Sequence, residues 1–136
     1  MRIEWATNCR DVIEGPNGLD IIGLGRNGYV IESPLPIQVP CPVVVCFRPE
    51  GDEEAGVVYG LNYQVLDPQG LVIDEGHSGV EWGKRHRAPQ VVEPERYYKT
   101  LEVPILVRES GQHTIELWLD GGDVIRLPYL FAAWTL

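Results

Sequence analysis

Glu75, His77 and Ser78 have the acid, base and hydroxyl types of a hydrolytic set. Such a set works only when the three side chains meet around one pocket with the hydroxyl bonded to the imidazole. Here the serine directly follows the histidine in a glycine-flanked segment and no G-x-S-x-G elbow occurs, so the trio reads as a turn. The sequence predicts no catalytic residue and no enzyme. Glu50, Asp52, Glu53 and Glu54 offer oxygen ligands for calcium. Their spacing is not that of an EF-hand and no second acidic segment obviously converges on them, so they read as a solvated acidic loop. His77, His86 and His113 with Cys9, Cys41 and Cys46 show neither C-x-x-C nor H-x-x-x-H spacing, which argues against structural zinc. Gly23-Leu24-Gly25-Arg26-Asn27-Gly28 matches G-x-G-x-x-G after a short apolar run. A pyrophosphate site needs a helix N-terminus there, but Tyr29-Val30-Ile31 followed by Pro34 and Pro36 cannot start a helix, so the glycines make a turn. No cofactor is expected.

Recognition is what remains. Trp118 falls on the side of its strand opposite Ile115, Leu117 and Leu119, where the core needs no large aromatic, so it is a candidate contact for another protein or a second copy. Trp82 and Trp118 are also candidate stacking platforms for a sugar or other small ligand, although no Asn/Asp/Gln cluster flanks them in the sequence. Phe131 and Trp134 belong to an apolar end with no charged side chain after Arg126; such a segment is either tucked under the domain or covered by a partner chain. Lys84, Arg85, His86 and Arg87 form the only basic cluster, beside Trp82. One short run on a chain of net charge -9 is a poor funnel for nucleic acid, and the same field disfavours an anionic membrane surface. The expected function is therefore a non-enzymatic protein-interaction or structural module, with small-ligand or carbohydrate binding as the alternative.

Any such site must be positioned by strands. Residues 101–131 carry three period-2 segments: Leu101, Val103, Ile105 and Val107; then Ile115, Leu117 and Leu119; then Ile125, Leu127, Tyr129 and Phe131. A three-residue loop of Asp120, Gly121 and Gly122 sets Leu117 against Ile125, Ile115 against Leu127 and His113 against Tyr129, with Trp118 against Val124 and Glu116 against Arg126 on the other side. A two-residue loop would slip the register by one and spoil both faces. In the three-residue loop Gly122 is expected in the left-handed position.

Upstream, Ile3, Trp5 and Thr7 alternate in a first strand, and Gly15-Pro16-Asn17-Gly18 precedes a short second one at residues 19–24. Residues 37–47 are apolar at every odd position, but Pro36, Pro40 and Pro42 lack donors, so the first half of this strand is expected to be an edge, bulged or unpaired. Val57, Tyr59, Leu61, Tyr63 and Val65 make a clear strand, which Asp67-Pro68-Gln69-Gly70 turns back through residues 71–74. Residues 75–96 read as a long loop, with at most a helical turn near 94–97. The class predicted is all-β, a two-sheet antiparallel sandwich occupying residues 1–136 as one domain. At 136 residues it can bury about two thirds of its unfolded surface without staples. Cys41 and Cys46, five apart, point to opposite faces of one strand and cannot pair there, and neither a signal peptide nor a membrane span is visible, which predicts a reduced, cytoplasmic setting.

Gly111-Gln112-His113-Thr114-Ile115-Glu116-Leu117 followed by Asp120-Gly121-Gly122 resembles the Gly-x-Tyr corner and last hairpin of immunoglobulin-like sandwiches. It departs from them at His113, in the corner tyrosine position, and at Ile115, where antibody domains have a cysteine, so no inter-sheet disulfide is implied. With Ile3-Glu4-Trp5-Ala6, Gly23-Leu24-Gly25 and Leu66-Asp67-Pro68-Gln69-Gly70 added, the whole chain resembles a family of stand-alone bacterial and phage β-sandwich proteins, a domain-of-unknown-function family. The resemblance implies the immunoglobulin-like fold and no site residues.

Overall fold

A computed structural model describes residues 1–15, 18–49, 57–81 and 96–133 of the chain. Ten strands follow one another: β1 (Arg2–Asn8), β2 (Asp11–Gly15), β3 (Gly18–Ile22), β4 (Gly28–Ile31), β5 (Ile37–Arg48), β6 (Val58–Leu66), β7 (Val72–Glu81), β8 (Tyr97–Val107), β9 (Gly111–Leu119) and β10 (Ile125–Ala133). No helix occurs among the described residues. The strands form a three-stranded sheet ordered β1-β5-β8, a five-stranded sheet ordered β4-β10-β9-β6-β7, and a β2-β3 hairpin. All described pairings are antiparallel except β4 with β10.

The period-2 apolar sets explain which faces meet. Val43, Val45 and Phe47 of β5 and Val103, Ile105 and Val107 of β8 are buried in the same apolar cluster as Leu61 and Val65 of β6, Ile115 and Leu117 of β9, and Tyr129 and Phe131 of β10. Both larger sheets therefore turn one face to a shared core. At one edge Lys99 Nζ on β8 donates to Gly79 O on β7 at 3.2 Å.

The β9/β10 register is the expected one, with Ile125 opposite Leu117, Arg126 opposite Glu116, Leu127 opposite Ile115 and Tyr129 opposite His113. The turn itself differs by one residue. Gly122 N donates to Leu119 O at 2.8 Å, and it is Gly121, not Gly122, that takes positive φ, at 77°. That places the left-handed residue third in a four-residue turn, as a type II turn requires, instead of at a bulge after a type I turn.

The long strand β5 is central, not peripheral. It pairs with β8 along its whole length, from Ile37 opposite Val107 to Phe47 opposite Tyr97, while β1 covers it only from Val43 to Arg48. Among the described residues its first half thus has a strand partner on one side alone, in keeping with the prolines. Pro40 faces Pro104, and since neither can donate, that pair is a non-hydrogen-bonded one whose backbone nitrogens turn outward. By the period of two, Pro42 also turns its donorless nitrogen to the side β1 leaves uncovered, where its carbonyl accepts from Cys9 N at 3.2 Å.

Four sequence expectations are corrected. Residues 75–81, read as loop, continue β7. The strands β2 and β4 are additional to those the sequence predicts, five and four residues being too few to show a clear period. In β1 a bulge between Ile3 and Trp5 breaks the simple alternation: Ile3 stands opposite Phe47 but Trp5 opposite Cys46, so Trp5 turns away from the core cluster. Finally Tyr97 opens β8 and is not helical, whereas residues 94–95 lie outside those described.

Candidate functional site

One face of the five-stranded sheet lies in the core, and Trp118 stands on the other, as expected. The β6, β7 and β9 registers place its neighbours. Asn62 of β6 is opposite Trp118 on one side and opposite His77 of β7 on the other, while Gln64 lies opposite both Glu116 and Glu75. Two cross-strand rows result, His77–Asn62–Trp118 and Glu75–Gln64–Glu116. A cavity of about 380 Å³ lies over the first row and reaches Glu75 of the second, lined by Asn62, Glu75, His77 and Trp118 with Tyr63 and Gly76. Gly76 has no Cβ because the Tyr63 ring occupies that space from the core side; an added Cβ would come within 2.6 Å of it.

The polar groups of the two rows are held in place. Asn62 Nδ2 donates to Asp120 Oδ1 at 2.7 Å and lies 3.4 Å from Gly60 O and Trp118 O. The Asp120 carboxylate fits there because Gly60 leaves its side-chain space empty. In the next row the Glu116 carboxylate, on a buried residue, accepts Gln64 Nε2 at 2.6 Å and Arg126 Nε at 2.8 Å. Towards β4 the same sheet side becomes apolar, with Leu130 and Val30 exposed.

Other concavities carry less. One of about 390 Å³ between the start of β1 and the β9–β10 turn includes Asp120 and Asp123 without an aromatic side chain. Another of about 330 Å³, at the end of the β6–β7 and β8–β9 turns, is lined by Val72, Ile73, Leu106, Arg108, Glu109 and His113 among others. His113 is buried, its Nδ1 donates to Gly111 O at 3.2 Å, and its ring meets Phe131 edge-on with centroids 5.1 Å apart. It is a packed core side chain.

The cysteines are buried free thiols. Burial pushes the Cys41 thiol up to about 12, and raises Cys9 and Cys46 by the same cause, reinforced at Cys46 by the Glu4 carboxylate, which lies 3.9 Å from its sulfur. Trp5 and Tyr98, both opposite Cys46, lean together over it with ring centroids 5.9 Å apart. Thiols so placed are protonated at neutral pH and are poor nucleophiles. Glu4 itself is held below the usual carboxylate range by Arg96, whose Nε and Nη2 reach its oxygens at 2.7 and 3.1 Å.

The predicted site residues separate as follows. Trp118 is at the surface concavity. Phe131 is fully buried among the core aromatics, 5.3 Å from Tyr29 and 6.4 Å from Tyr129 between centroids, so the structure makes it a core residue. Ser78 lies opposite Leu61, hence on the other face of β7 from Glu75 and His77, and the three cannot form a hydrolytic set. Glu50, Asp52, Glu53, Glu54, Trp82, Lys84, Arg85, His86, Arg87 and Trp134 lie outside the described residues. Among the described residues no three His, Cys, Asp or Glu side chains come together as metal ligands, and no helix is long and apolar enough to cross a membrane. The residues missed in the sequence are Asn62, Glu75 and His77 as neighbours of Trp118. Asn62 and Trp118 are 56 positions apart, so only the β6/β9 register could have joined them. No protein-family model matches the chain, and no curated protein does.

Proposed function

We propose that the chain is a non-enzymatic recognition module, an immunoglobulin-like β-sandwich that engages another protein, or a second copy of itself, through the outer face of its five-stranded sheet. The strand order supports the fold reading. β1, β5 and β8 correspond to strands A, B and E of such a domain, and β10, β9, β6 and β7 to G, F, C and C′, with the Gly111–His113 corner at the start of F. The observation that carries the functional reading is the side of that sheet turned from the core. It bears a half-buried tryptophan at Trp118, exposed Leu130 and Val30, and between them the fixed Gln64–Glu116–Arg126 ladder. Aromatic and aliphatic anchors around immobilised polar groups are what a protein contact uses.

A photo-crosslinking residue at Leu130 should capture a partner or a second copy, one at Tyr98 on the three-stranded sheet should not, and Trp118→Ala should abolish the Leu130 product. Equal capture at both positions, or capture indifferent to Trp118, defeats this reading. The concavity beside Trp118 favours a second reading, a site for a small ligand or carbohydrate on the same face.

A further inference from the structure

We infer that the groove between Trp118 and His77 is a subsite for a neutral pyranose sugar, stacked on the Trp118 indole and hydrogen-bonded by Asn62, His77 and Glu75. The inference rests on taking this sheet face as a recognition surface and adds the chemistry of what it recognises. Trp118 and His77 are separated by two strand spacings, roughly 9.5 Å, with Asn62 as the floor between them. The groove of about 380 Å³ falls within the rough 300–1,000 Å³ range of small-ligand sites. A pyranose has an apolar face of C–H groups and a rim of hydroxyls that each donate and accept. An indole suits the face, and planar amide, imidazole and carboxylate groups suit the rim.

Asn62 is oriented for this before any ligand arrives. Because Asp120 holds its Nδ2 at 2.7 Å, its Oδ1 is turned the other way and accepts no hydrogen bond among the described residues. The charge of the site selects the class of sugar. Glu75 stands in the groove and the whole chain carries -9, so sialylated, sulfated or phosphorylated ligands are repelled. A cationic ligand would call for a cage of several rings. Trp118 is the only Trp, Tyr or Phe that the described residues of β6, β7 and β9 turn to this face, since Tyr59 and Tyr63 alternate to the core side.

The test is a titration of the isotopically labelled full chain with maltotriose, cellotriose, mannotriose and tri-N-acetylchitotriose, each alone, with 3′-sialyllactose as the anionic control. At least one neutral sugar should shift the Trp118 indole N–H and the Asn62 side-chain signals with a Kd of roughly 1 mM or tighter, and sialyllactose should bind less well. Trp118→Ala should abolish the shift. Asn62→Ala and His77→Ala, both off the core, should weaken binding about tenfold or more without loss of fold, and they carry the test if Trp118→Ala does not fold. A high-mannose glycoprotein before and after enzymatic deglycosylation separates protein-borne sugar from free oligosaccharide; binding that survives deglycosylation overturns the sugar assignment. So does the absence of any shift at about 20 mM neutral sugar, or sugar binding indifferent to Asn62 and His77. If the sugars fail while the Leu130 cross-link still depends on Trp118, the recognition face stands without its sugar subsite; if both fail, both readings fall.

Discussion

Glu116 faces Arg126 across the β9/β10 pair and accepts its Nε at 2.8 Å, but the two partners are unequally exposed: the Glu116 side chain is 10% accessible and that of Arg126 66%. An exposed arginine can be replaced by water at little cost. A nearly buried carboxylate that also receives Gln64 Nε2 at 2.6 Å cannot be removed without stranding that amide. Arg126→Ala should therefore lower stability by less than about 1 kcal/mol, and Glu116→Ala by about 1–3 kcal/mol, in urea denaturation. Equal losses would show that the ladder is not organised around Glu116.

Gly111 joins the β8–β9 turn to the β6–β7 turn. Its φ of 138° is one that side chains rarely adopt, and an added Cβ would meet Pro68 Cγ at 2.9 Å. Gly111→Ala should thus cost about 1–3 kcal/mol from backbone strain alone. Gly70, with φ of 83° and open space where its Cβ would be, is the control: Gly70→Asn should cost well under that, since asparagine tolerates the left-handed region. Matching urea midpoints for the two variants would remove the close approach of the turns as a stabilising feature.

Alkaline pH should unfold the protein through its buried thiols and phenols. Burial raises Cys41 from its usual 9.0 to about 12, and raises Tyr129, Tyr29, Cys9 and Cys46 in the same direction. A group whose folded pKa is raised keeps its proton in the native state while the unfolded chain loses it. Stability from Cys41 is complete below about pH 9 and falls as pH climbs from 9 towards 12. Cys41→Ala should flatten the decline of the urea midpoint between pH 9 and 11, and alkylation of the native protein at pH 8 should be slow at all three cysteines. A midpoint that rises with pH over that window would contradict the sign.

The part of this architecture visible in the sequence is the part governed by local rules. In residues 113–131 the period of two and the length of one turn leave a single register, and the structure has it. The left-handed glycine is Gly121 where the sequence also allows Gly122, because a type II turn and a type I turn with a bulge span the same hairpin. Simple alternation puts Trp5 on the face of Ile3, and the bulge between Ile3 and Trp5 that turns it away leaves no mark in the composition. The groove was hidden for a different reason. Alternation puts Asn62 and Trp118 on outward faces of their own strands, but which of them stand side by side depends on a pairing across 56 positions that no turn dictates.

The end of β10 gives the sharpest contrast between neighbours. Phe131 is fully buried against Tyr29, Tyr129 and His113, while Leu130, one residue earlier, is 56% exposed and pairs with Gly28. Truncating a buried aromatic leaves a cavity that a close-packed core refills only in part, so Phe131→Ala should cost about 3–5 kcal/mol. Leu130→Ala should stay within about 0.5 kcal/mol. The two should also separate by what else they change. Phe131→Ala lowers the urea midpoint of the isolated chain, whereas Leu130→Glu leaves that midpoint in place and reduces association, read by sedimentation velocity, if the outer face pairs with a second copy. A Leu130→Ala loss as large as that of Phe131→Ala would mean that Leu130 is covered within the single chain, and the apolar end of the recognition face would have to be redrawn.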